Sequence, residues 1–188
     1  MRRVMVACCA ALLAAMCLGC AQCGARTPRQ TPVQTAAGTQ VKRMERARVE
    51  LVGDWKDSPL GKHSYAYRPQ AGAPEVVFSM DTMEIHEDLD AQTAILAICS
   101  GSEQAEGVTI LSQRPYSLDG RQGREIVYLM ELDDYFAYRI TERILPEGRT
   151  LYLFDWWVGC NRDEPEPEEH LAVFDAVLQT LQFEGEGA

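Results

Sequence analysis

The segment Thr150 to Gly159, TLYLFDWWVG, constrains this chain more than any other. Read as a strand, it sends Leu151, Leu153 and Trp157 to one side and Tyr152, Phe154, Trp156 and Val158 to the other, so both sides are apolar. A sheet whose central strand is apolar on both faces must be covered on both faces, at least in part.

Around it, Ser64 to Phe183 alternates strand-like runs with turn signals, and only two segments carry a helical period. Glu75 to Met80 and Met83 to Ile85 read as strands, and the parity shift across Asp81 predicts a turn or bulge there. Leu89 to Cys99 reads as a helix capped by Asp88 or Asp90, with Leu89, Thr93, Leu96, Ile95 and Cys99 forming its buried stripe. Val108 to Tyr116 and Arg124 to Leu132 flank Asp119-Gly120, the dipeptide favoured by a type I′ hairpin turn. Phe136 to Leu145 and Thr150 to Gly159 flank Pro146-Glu147-Gly148, which completes a four-stranded meander. The Phe136 strand sets Phe136, Tyr138, Ile140 and Ile144 against Arg139, Thr141 and Arg143, a pattern that places it near an exposed region. The closing helix has Pro165 and Pro167 at its mouth and acids in its first turn. Leu171, Phe174, Leu178 and Leu181 then share one face.

The order of helix, meander with Leu118-Asp119-Gly120, Gly148-Arg149-Thr150-Leu151-Tyr152-Leu153 and closing Phe174-Asp175-Ala176-Val177-Leu178-Gln179-Thr180-Leu181-Gln182-Phe183 resembles the PsbP-like family. That family includes the photosystem extrinsic subunit, Ran-binding Mog-type proteins, and bacterial lipoproteins of the DcrB and LpqN kinds. The resemblance implies an α+β fold, an antiparallel meander flanked by helices on both faces as an α/β/α sandwich. It also implies mostly non-enzymatic work at membranes or in complexes. It is one of layout and carries over no functional residue.

The N-terminus supplies an address. Met1-Arg2-Arg3 followed by the uncharged run Val4 to Gly19 has the layout of a secretory signal peptide. Leu18-Gly19-Cys20 resembles a lipobox, with Cys20 as the lipidated residue, although Cys17 stands where Leu is usual. Ordinary cleavage near Ala21 or Ala25 and an uncleaved anchor running to Cys23 stay open beside it. The expected organisation is a signal peptide over 1–19, a flexible lipid-anchored linker over 20–48 and a PsbP-like domain over 49–188. Residues 1–48 hold eight basic side chains and one acid, so 49–188 carry 10 basic against 27 acidic, a net of −17. So acidic a domain is a poor partner for phosphate backbones, and no nucleic acid is expected.

Chemistry is sparse. Three histidines, His63, His86 and His170, lack metal-ligand spacing, and Glu84 with His86 reads more simply as a solvated strand face. Ser100-Gly101-Ser102 reads as a loop without a nucleophile elbow. Asp133-Asp134 and Asp163 to Glu169 lack the ligand spacing of a calcium loop. No catalytic residue, metal or cofactor is expected. Of seven cysteines, Cys99 and Cys160 alone fall inside the domain, which predicts a disulfide between them in an exported protein, two separate thiols being the alternative. Aromatics crowd the closing strands, and if one sheet face is open Trp156, Trp157 and Tyr138 are the candidate contact surface for an envelope protein partner; two covered faces with these rings in the core and no patch is the favoured alternative. The expected function is a lipid-anchored, non-enzymatic binding or structural module of the bacterial envelope. An envelope enzyme with an unrecognised site, or a plainly secreted periplasmic protein, is the alternative.

Overall fold

The computed structural model describes residues 38–68, 73–133, 136–161 and 168–184. Ten strands and two helices follow in order. They are β1 (Thr39–Met44), β2 (Ala47–Val52), β3 (Lys56–Asp57), β4 (Ser64–Tyr67), β5 (Val76–Glu84), α1 (Ala91–Glu103), β6 (Val108–Leu118), β7 (Arg121–Glu131), β8 (Phe136–Glu147), β9 (Thr150–Asn161), α2 (Glu168–Gln179) and β10 (Gln182–Phe183).

The meander forms as expected and grows. β6, β7, β8 and β9 pair in sequence, β5 adds antiparallel to β9, and β4 and β3 extend the sheet to seven strands in the order β3-β4-β5-β9-β8-β7-β6. Asp119 and Gly120 take positive φ of 49° and 79°, as a type I′ turn requires. The β8–β9 turn is centred one residue later than expected. Gly148, at φ 60°, and Arg149 make the reversal, while Pro146 and Glu147 remain in the ladder opposite Leu151 and Thr150. No turn interrupts β5, because Asp81 and Thr82 stay paired with Leu153 and Tyr152 along one continuous strand.

Both faces of the sheet are covered. On one, β1, β2 and β10 form a small antiparallel sheet that packs with α2 over Phe78, Tyr152, Phe154 and Trp156. Thr180 ties these pieces together: its hydroxyl donates to the Val177 carbonyl at 2.7 Å and accepts from the Glu50 amide at 2.8 Å. On the other face, α1 sets Ile95, Ile98 and Cys99 against Ile126, Ile144 and Leu151. The architecture is therefore an antiparallel sheet with a helix on each face, the expected α+β class.

Four expectations about local placement are corrected. Residues 39–48, assigned to the linker, form β1 and the start of β2, so the folded part begins about ten residues earlier than residue 49. The helix stripe is rotated: Asp90 caps α1 by accepting from the Thr93 amide at 2.8 Å, and the buried residues are Ala94, Ile95, Ile98 and Cys99, while Leu89 and Leu96 face solvent. Ser100-Gly101-Ser102 is the last turn of that helix and no loop. β8 is also not near an exposed region, since Thr141 and Arg143 are buried beneath α2 and the small sheet, with β7 and β9 on either side. Only its Phe136 end is open.

Candidate functional site

The residues singled out in the sequence do not converge. Cys20 lies outside the described residues, as do Asp134 and Asp163 to Pro167. Glu84 ends β5 and His86 lies beyond it, exposed, its Nδ1 3.5 Å from Asp88. Among the described residues no group of three His, Cys, Asp or Glu side chains is placed to hold a metal.

Cys99 and Cys160 are both free thiols, so the expected disulfide is not formed. The reason is the sheet itself. Cys99 hangs from α1 onto one face, whereas Cys160 shares the parity of Trp156 and Val158 on β9 and points to the other. There its Sγ donates to the Ala137 carbonyl at 3.7 Å.

The aromatic contact surface is corrected in the same way. Trp156 is wholly buried, stacked on Phe174 with centroids 5.4 Å apart, and Trp157 is buried on the opposite face. Adjacent residues on a strand must diverge, and here both faces are closed over them. Tyr138 is half-buried, edge-on to Trp157 at 5.8 Å and to Phe136 at 5.6 Å. Phe136 is 40% exposed, so this run of rings leads from the core to the surface on the α1 face, at the end that α1 does not reach.

Two polar clusters inside the sheet were not anticipated. The first lies under α2. Arg143 is buried and donates from Nε to Glu125 Oε2 at 2.8 Å, while its Nη1 forms an ion pair with Asp175 of α2 at 2.5 Å; its guanidinium lies 4.6 Å from the Tyr116 ring and 4.5 Å from Phe174. Glu125 also accepts from Arg114 Nε at 2.7 Å. Burial alone would push the Glu125 carboxyl up, but these two arginines hold it below the ordinary carboxylate value. This cluster is an internal ion network that pins α2 to β7 and β8.

The second lies on the α1 face, between the Ile126–Ile144–Leu151 cluster and the smaller cluster of Val77, Ile140 and Trp157. Glu142 of β8 stands directly across from Asp155 of β9, and Asp155 across from Ser79 of β5. Trp157 Nε1 donates to Ser79 Oγ at 3.2 Å, and Ser79 Oγ donates to Asp155 Oδ2 at 3.1 Å. Burial, opposed by the Ser79 hydrogen bond and reinforced by the charge of Asp81, raises the Asp155 carboxyl to about 7. Burial, together with Asp155 and Asp81, lifts Glu142 well above its ordinary value as well. The sequence held one signal for this pair: an aspartate interrupting the apolar run of β9 on the face shared by Leu153 and Trp157. Glu142 gave none, because its meeting with Asp155 depends on register across the β8–β9 hairpin.

An open groove of about 520 Å³ lies at the other end of the molecule, lined by Asp119, Gly120, Arg121, Glu147, Leu181, Gln182 and Phe183. Two of its charges, Arg121 and Glu147, are paired with each other. Arg121 Nε sits 2.8 Å from Glu147 Oε2, and its guanidinium lies 4.3 Å over Phe183.

No protein-family model and no curated protein matches the chain. Solved structures do. A Pseudomonas aeruginosa protein of unknown function, PA94, described as a putative regulator, aligns with a TM-score of 0.53 and 12% identity over 76% of this chain and 94% of that one. Cyanobacterial PsbP (CyanoP) of Synechocystis aligns with a TM-score of 0.51 and 13% identity over 83% of this chain and 98% of that one. LpqN of Mycobacterium tuberculosis, described as involved in cell envelope biogenesis, aligns at 0.49 with 10% identity, covering 81% and 88%. The seven-stranded antiparallel sheet with a helix on each face is thus a PsbP-like fold.

Proposed function

We propose that this chain is an exported, lipid-anchored protein of the bacterial cell envelope whose folded part works by contact with an envelope protein and not by catalysis. The observation that carries the contact reading is the ring run Trp157–Tyr138–Phe136. It brings a large apolar side chain to the surface on a stretch of sheet beyond the α1 cluster. Aromatic rings anchored from behind by a packed core lose little freedom when a partner covers them. Export and anchoring are supported by the basic start, the apolar run Val4 to Gly19 and the cysteine that ends it. From Cys20 to Thr39, where β1 begins, the chain is long enough to reach about 60 Å if extended.

The test has two arms. The intact mass of the mature protein should show a lipid-bearing N-terminal Cys20, and Cys20→Ser should move the protein from the membrane to the soluble fraction. An unmodified N-terminus at Gln22 or Arg26 would refute the anchor and leave a plainly secreted or periplasmic protein. For contact, a photo-crosslinker at position 136 should give a discrete adduct in the cells of origin that the same probe at exposed Ser117 of β6 does not. Equal labelling at both positions, or none at 136, would refute the contact reading.

A further inference from the structure

Buried Glu142 and half-buried Asp155 form a facing carboxyl pair that makes no ion pair with any described residue. We propose that these two carboxyls share a proton in the closed fold and that full ionisation loosens α1 from the sheet, making the α1 side responsive to pH.

The argument begins with position. Opposed residues on antiparallel strands hold their side chains about 5 Å apart, so two carboxylates facing each other there must repel unless one is protonated. Glu142 is only 5% exposed, and no hydrogen bond from a described residue supports its charged form; what acts on it is burial and the charge of Asp155 and Asp81. Asp155 is better supported, since the Trp157–Ser79 relay fixes one of its oxygens. The pair therefore has a strongly held proton and a defined place to hold it.

The surroundings do not rescue the charge. From β5 the facing groups are Ser79 and Asp81, the latter a third carboxylate. From β7 Ile126 stands opposite Glu142, with Tyr128 and Arg124 two residues to either side. Arg124 acts on the Cys99 thiol but not on the pair. From α1 comes Cys99, whose thiol burial pushes up and Glu142 raises further. Leu60 and Ala66 pack against the neighbouring Val77, Ile140 and Trp157. Ionising both carboxyls thus places two negative charges beside the apolar seat of α1, and the cheapest relief is water entry between α1 and the sheet.

The sign follows from linkage. Both groups titrate higher in the folded chain than in the unfolded one, where carboxyls lose their protons near about 4. From there up through about 7, where Asp155 loses its proton, and on to the folded value of Glu142, the folded form binds more protons, so stability falls as pH rises through that window.

The experiment uses the full chain, with thermal unfolding followed from pH 5 to 8.5 and amide exchange of α1 and α2 measured at both ends. The unfolding midpoint of the native sequence should fall across this range, and Glu142→Gln and Asp155→Asn should each flatten the fall. After correction for intrinsic exchange rates, α1 should lose protection relative to α2, about tenfold for each unit by which the pair's titration is displaced. Parallel pH profiles for the native chain and both variants would overturn the proposal, as would equal loss of protection in the two helices. Should either variant fail to fold, Asp81→Asn serves in its place, because Asp81 is exposed. It should shift the titration to lower pH without changing stability at pH 5, and an unmoved titration would overturn the proposal.

Discussion

Removing the Arg143 guanidinium tests how the sheet holds α2. In Arg143→Met the aliphatic stem is kept, so packing against Tyr116 and Phe174 is largely preserved while the charge disappears. Glu125, buried at 3% exposure, then loses the donor at 2.8 Å and keeps only Arg114 at 2.7 Å, itself mostly exposed; Asp175 of α2 loses its partner as well. Breaking a buried pair from one side costs roughly 3–5 kcal/mol, and the surviving Arg114 contact argues for the lower end, about 3 kcal/mol. For a chain of this size that is a fall of roughly 6–12 °C in melting temperature. Urea unfolding of the native chain, Arg143→Met, Glu125→Gln and the double variant closes the cycle, and the double variant should be less destabilised than the sum of the singles by at least about 1 kcal/mol. The pH dependence has a definite direction. The Glu125 carboxyl is held below its ordinary value, so the stability it contributes is present above the unfolded carboxyl range and is lost as pH falls through its folded value. The gap between native and Arg143→Met should therefore narrow below about pH 4. Strict additivity in the cycle, or a single variant within about 0.5 kcal/mol of native, would refute the view that this network pins α2.

Other expectations are simpler. Gly123→Ala should destabilise by more than about 2 kcal/mol, because a Cβ there would lie 1.9 Å from the Ile144 carbonyl oxygen of β8; native-like urea unfolding would contradict it. Phe174→Ala should cost about 3–5 kcal/mol, since the ring packs on Trp156 and Phe78 with no exposure; a smaller loss would mean that α2 collapses into the space. Reductant should leave the melting temperature unchanged, and thiol reagents should modify half-buried Cys160 faster than buried Cys99. A fall on reduction would instead restore the disulfide.

The misplaced elements share a cause. The β1–β2 hairpin turns at Glu45 and Arg46 with no glycine or asparagine, Glu45 taking φ 50° by itself, so the usual turn chemistry is missing from its sequence and the segment read as linker. The stripe of α1 was misjudged because Leu89 and Leu96 are as apolar as the residues that are buried. Which side faces the sheet was decided by Ile126, Ile144 and Leu151, far away in the chain. Arg143 gave the strand a polar look, and only its partners on β7 and α2 made burial tolerable.

What the sequence determined by itself was local. A strand apolar on both faces had to lie inside a covered sheet, Asp119-Gly120 had to reverse the chain, and an aspartate at 88 or 90 had to start a helix, because each outcome follows from sterics and hydrogen bonds within a few residues. What only the tertiary structure decided was which distant strands became neighbours. β5 joined β9, β10 joined β2, Cys99 and Cys160 were sent to opposite faces, and Glu142 met Asp155 beside Ser79. Pairing between strands far apart in the chain is fixed by the fit of whole faces and the register they adopt, and a one-residue slip of a strand would have turned its side chains to the other face.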